Sequence, residues 1–264
     1  MASRTDRVTW ARMTLGAPDA VIGFAQGSAK NPWLERFLTI NGVAGYLLAY
    51  SCGTCGLVLR RQPGTPPLQI SAQAVRDRLN HGLADLDPEV IEAFGTRLPQ
   101  DDYLVMLLEV RPVLVEPGSP QDYFAAEQPR LWTQDRLDEP EGTEPANTAY
   151  YRLGDQPIGE RHRLFQFAVP MQPLDTMEQT TLARYADTGE SGTAVALGVL
   201  DISGPYFSDR EHWGLFHFLL DGHHKLLAAA RSGQAVRLLS FVSTGHSPAT
   251  EDQLRRLHET LGGG

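Results

Sequence analysis

Cysteine is nearly missing from this chain, with two residues, Cys52 and Cys55, among 264. Two thiols three positions apart cannot build the multi-bridge framework that holds small secreted domains together. No run approaches the roughly 18 to 20 uninterrupted apolar residues of a membrane-spanning helix. The opening MASRTDRVTWARM also lacks the apolar centre of a secretory leader. Positive charge is in deficit too. A formal net charge of −9 repels polyanions, which argues against broad nucleic-acid or membrane binding and leaves room only for a local basic pocket. The expected protein is soluble and cytoplasmic. What is present, 42% hydrophobic and 21% charged residues, is the composition of a globular chain with a substantial core. The length suits one large domain or two ordinary ones, and two are expected.

The first part, residues 1–132, reads as an α+β domain. Residues 43–50 (VAGYLLAY) and 57–61 (LVLRR) have the composition of two strands, joined by a glycine-rich turn that carries both cysteines at its tip. Ser71 is placed to cap a helix holding Ala74, Val75 and Leu79. A second helix follows Asp87-Pro88 with Val90, Ile91 and Phe94. The run 103–110 (YLVMLLEV) predicts a strand buried on both faces. Prolines and acids then crowd together, with Asp135, Asp138, Glu139, Glu141 and Glu144 close in sequence. Residues 133–158 are therefore expected to be an acidic, proline-rich loop or linker, most exposed over 133–147.

Residues 159–264 show a clearer rhythm. Strands are predicted at 164–169, 194–202, 213–220 and 235–242, with helices at 174–186 and 223–232. Asp175 or Thr176 is the expected cap of the first helix, Gly233 the stop of the second, and Ser247-Pro248 with Thr250 opens a last helix. His217 shares a strand face with Leu215 and Leu219, which suits a packed residue. His212, in a predicted loop, is the better candidate for a substrate contact.

One junction carries chemistry. A strand runs through Asp221-Gly222-His223-His224-Lys225 straight into a helix, where the free N–H groups of the first turn and the helix dipole favour an anion. Gly222 admits a close ligand, Asp221 can cap the turn, and His223, His224 and Lys225 add donors. A plain helix start with an Asp cap is the competing explanation.

The run LLDGHHKLLAAARSGQAVRLLSFV resembles the signature of the ParB/sulfiredoxin-like fold, in which a strand ends in a G-H-x-R type motif followed by a helix, a glycine and a strand. The resemblance covers about residues 160–245 and implies an α/β (α+β) mixed-sheet domain that holds nucleotide phosphates at the motif. Carried over, Gly222, His223, His224 and Lys225 become the phosphate contacts, with Asp221 orienting the turn or meeting a metal. The kinase-like branch of the family uses a carboxylate near the first strand and helix as general base, and Asp175 and Glu178 lie in that region. Lys225 replaces the arginine of many members, keeping charge but losing the bidentate fork. The cysteine that sulfiredoxins need in the motif is absent, and no helix-turn-helix reader follows the fold.

Two functions follow as expectations. One is a phosphotransferase or nucleotide hydrolase using ATP or another nucleotide with Mg²⁺ and a small-molecule acceptor. The other is a non-catalytic nucleotide sensor whose residues 1–150 meet a protein partner or a second copy. A carboxylate facing the Asp221 turn separates them. The hairpin Cys52-Gly-Thr-Cys55-Gly has three readings: a vestigial or purely structural turn, half of a zinc site that His81, His162 or an acid would complete, or a redox pair.

Overall fold

The structure is a computed structural model that describes residues 9–27, 35–50, 57–131, 145–188, 192–203 and 211–262. Both cysteines and residues 133–144 of the acidic segment lie outside the described residues. The chain is mixed α/β, built on an eight-stranded mixed sheet and a four-stranded antiparallel one. The small sheet holds β2 (Ile22–Gln26), β3 (Glu35–Ile40), β4 (Val43–Tyr50) and β5 (Leu57–Arg61) in that order. The pairing of β4 with β5 matches the predicted hairpin.

The large sheet takes β1 (Thr9–Leu15), β6 (Asp101–Val110) and β7 (Val113–Val115) from the first half, and β8 (Tyr150–Ile158) from the segment expected to be a linker. It takes β9 (His162–Val169), β10 (Thr193–Ser203), β11 (His212–Asp221) and β12 (Val236–Ser243) from the last third. Their order is β1-β6-β12-β10-β11-β9-β8-β7. The 133–158 segment therefore does not part the two sheets, and β8 pairs antiparallel with β9 inside the large one. The strand carries both a glycine and a proline, and its register with β9 breaks between Arg152 and Gly154.

Sheet faces explain why the run 103–110 is continuously apolar. Tyr103, Val105 and Leu107 of β6 join the core shared with the small sheet, while Leu104, Met106 and Leu108 join the core beneath the helices α4 (His223–Ser232) and α5 (Glu251–Gly262). β11 divides its residues in the same way. Thr250 caps α5, its hydroxyl accepting from the Gln253 amide at 3.3 Å while the Gln253 side chain accepts from the Thr250 amide at 2.8 Å, a reciprocal capping box. Two other expected caps are corrected. Ser71 precedes a 3₁₀ turn, Gln73–Val75, which leads into α1 (Arg76–His81) without any side-chain cap. Asp175 and Thr176 sit in a separate 3₁₀ turn, Leu174–Thr176, where the Thr176 hydroxyl bonds Pro173; α3 (Gln179–Thr188) starts after them. Asp87 caps α2 (Pro88–Gly95), the helix expected after Asp87-Pro88. No helix among the described residues is long and apolar enough to cross a membrane.

Candidate functional site

β11 ends at Asp221 and α4 begins at His223, with Gly222 between them at φ +88°. This left-handed conformation suits glycine, and a Cβ here would stand 2.6 Å from the Cβ of Ala194 on β10. The turn is therefore pressed against the sheet. Asp221 was expected to cap it, yet Gly222 occupies the cap position and α4 has no side-chain cap. The first amides of the helix are left for something else.

They open onto a cavity of about 500 Å³. Asp221, Gly222, His223, His224 and Lys225 form one wall; Arg76 and Asn80 of α1, Glu178 just before α3, and Thr181, Arg184 and Tyr185 on α3 form the other. The structure thus gathers Glu178 with the turn. Asp175 is not among the residues lining the cavity. The two arginines carry no motif and were missed by sequence reasoning; only their positions on helices that converge on the turn mark them out.

The motif side chains do different work from that expected of free donors. His223 is buried and its Nε2 accepts a 3.0 Å hydrogen bond from the Met171 amide, and burial lowers its pKa to about 4 with help from neighbouring His224. It is a neutral ring at pH 7. Lys225 is 5% exposed, and its ammonium donates to the carbonyls of Leu79 at 3.1 Å and Thr193 at 3.0 Å, tying α1 to β10. Burial brings its pKa down to about 8; the Asp221 carboxylate, 4.0 Å away, opposes this and Arg76 adds to it. Half-buried His224 accepts from the Glu178 amide at 3.2 Å; burial lowers its pKa against the pull of Glu178 and Asp221. Glu178 itself accepts from the Thr181 hydroxyl at 3.1 Å.

No family model, curated protein or solved structure matches this chain. The cavity has to be read from its own chemistry: an open helix start, two guanidinium groups and two carboxylates around one space.

The remaining histidines lie elsewhere. His217 is fully buried, with Nδ1 2.8 Å from the Ser240 hydroxyl, and burial lowers its pKa to about 3, which fits a packed residue. His212 is corrected: it begins β11, is buried, and its Nδ1 lies 2.7 Å from the hydroxyl of Tyr123, away from the cavity. Of the residues considered as completing a zinc site, His81 turns Nδ1 to the carbonyl of Asp77, and His162 accepts from the Glu211 amide. Among the described residues no group of three or more His, Cys, Asp or Glu side chains could hold a metal ion.

Proposed function

We propose that this cavity binds the phosphates of a nucleotide and serves phosphoryl transfer to a small acceptor, or to water. We also propose that β9, α3, β10, β11, α4 and β12 form a ParB/sulfiredoxin-like unit around it. The observation that carries the functional reading is the uncapped start of α4 opening into a cavity lined by Arg76 and Arg184. The amides of His223, His224 and Lys225 offer backbone donors and the helix dipole there, and the guanidiniums add charge. In this reading Gly222, His223, His224 and Lys225 meet the phosphates through their backbone, while the His223 and Lys225 side chains hold the turn in place.

Glu178 favours transfer over passive sensing because its carboxylate shares the cavity with Asp221. As the acceptor oxygen attacks phosphorus, its proton passes to Glu178 and the bond to the departing phosphate oxygen breaks. Mg²⁺ prefers oxygen donors and is often held by one or two carboxylates together with phosphate oxygens. Asp221 and Glu178 are of that type, and bound Mg²⁺ would neutralise phosphate charge.

The test is a thermal-shift titration of the full chain with ATP, ADP, CTP and GTP, each with and without Mg²⁺. At a hundredfold excess over Kd, binding to the native state stabilises by about 2.7 kcal/mol. A shift from none of them removes the reading. If a nucleotide binds, Glu178→Gln is expected to retain the shift and to lower turnover by roughly 10²- to 10⁴-fold; unchanged turnover returns the protein to the sensing reading.

A further inference from the structure

The donors left over in the cavity are distinctive. Among the described residues, neither Arg76 nor Arg184 has an ion-pair partner. Arg78, on the same helix as Arg76, is paired with Asp87 at 2.8 Å and Glu89 at 2.7 Å. The Arg184 guanidinium instead lies 5.1 Å from the centre of the Tyr185 ring. His223, 4% exposed and lining the cavity, has its Nε2 occupied by Met171, so its proton sits on Nδ1, for which the described residues supply no acceptor. A ring N–H that the described residues leave without an acceptor, two guanidiniums without an ion-pair partner among those residues and an uncapped helix start all answer to the same ligand chemistry, a multiply charged oxyanion.

A nucleobase finds no comparable provision. Recognising a base takes an aromatic or apolar surface to stack on and fixed polar groups to meet its edge. Among the described residues, Ile70 and Leu220 are the only aliphatic side chains of the lining, and Leu220 belongs to the sheet core. Tyr185 is the one aromatic residue apart from the histidines among the described residues of the lining. Arg184 and, 6.0 Å from its centre, the Lys225 ammonium already attend its ring, and its hydroxyl is bonded to Asn80. The Gln172 amide is spent on the carbonyl of Leu68. Resting on the phosphate reading, we infer that the site recognises the polyphosphate chain and not the base, with Arg76 and Arg184 as the side chains that grip it.

The experiment is calorimetric titration of the full chain with inorganic tripolyphosphate, ATP, CTP and GTP. A site that reads a base edge by hydrogen bonds separates analogues by roughly 10⁴-fold; here the three nucleotides are expected within about threefold of one another, and tripolyphosphate within about tenfold of them. Arg76→Gln/Arg184→Gln is expected to weaken all four on the order of 100-fold, each arginine supplying charge-assisted hydrogen bonds. Arg78→Gln is expected to leave them unchanged. Both arginines are exposed, so the double variant should melt near the wild type, and the single variants give the same information should it not fold. A preference above tenfold for one base, or silence of tripolyphosphate where a nucleotide binds, overturns the inference and leaves the phosphate reading standing. Wild-type affinity in the arginine variants overturns their assignment. Absence of binding by all four removes both readings.

Discussion

The two walls of the cavity are built on opposite terms. On the β11–α4 side, His223 and Lys225 are buried and spend their polar atoms on the backbone of Met171, Leu79 and Thr193. On the facing side, Arg76 and Arg184 stand exposed, and among the described residues no carboxylate is bound to either. Charge alone does not distinguish a lysine that supports a site from an arginine that can serve it; hydrogen-bond partners do. A strut is costly to remove, because the groups it satisfied are left buried and unpaired. A free guanidinium is cheap to remove for the fold and costly only for the ligand.

Acid should expose this contrast most strongly. The folded-state pKa values of His223 and His217 lie near 4 and 3, below the ordinary 6.5, so the unfolded chain binds more protons as pH falls through 6.5. Stability is fully present above that pH and is lost downwards toward 4, by up to about 1.4 kcal/mol per pH unit for each ring. Urea midpoints measured from pH 7.5 to 4.5 should fall accordingly, and His223→Gln should flatten the slope. A flat wild-type profile would mean the rings are not buried as described.

Gly222→Ala comes next. A positive φ and a Cβ 2.6 Å from that of Ala194 should cost about 3 kcal/mol, a fall of several degrees in Tm. A Tm within about one degree of wild type would mean the turn is looser than the contact with β10 implies. Lys225→Met keeps much of the stem's packing but abandons the Leu79 and Thr193 carbonyls, a loss of about 1–3 kcal/mol by chemical denaturation. The smallest effect belongs to Arg184→Gln, expected within about 0.5 kcal/mol of wild type; a larger loss would make it a strut like Lys225.

Much of the last third was legible because its periods and punctuation agree. Gly233 ends α4 with a left-handed cap at φ +67°, and the predicted helix 223–232 is found unchanged. The Asp221–Lys225 junction was legible as a turn, since Asp221-Gly222 before a helix has a local meaning. What its side chains touch was not, because Met171, Leu79 and Thr193 are remote in sequence. Strand β1 carried a readable alternation, with Trp10, Arg12 and Thr14 outward and Ala11, Met13 and Leu15 more buried, but it was overlooked beside stronger signals. β8 was hidden for a different reason: its glycine and proline argue against a strand, and only its neighbour β9 overrides them. The partition at 133–158 failed to separate the sheets because composition reports how much a segment can bury and says nothing about which distant strand it will join.

β12 lies between β6 and β10, antiparallel to one and parallel to the other. The last of the sheet's eight described strands in chain order is thus its keystone. Without it, β6 beside β1 on one side and β10 beside β11 on the other would each lack a permanent neighbour on one edge. Two open edges waiting on a late strand are the condition in which nascent chains mispair. The chain order therefore leaves the large sheet most exposed to mispairing just before β12 joins it.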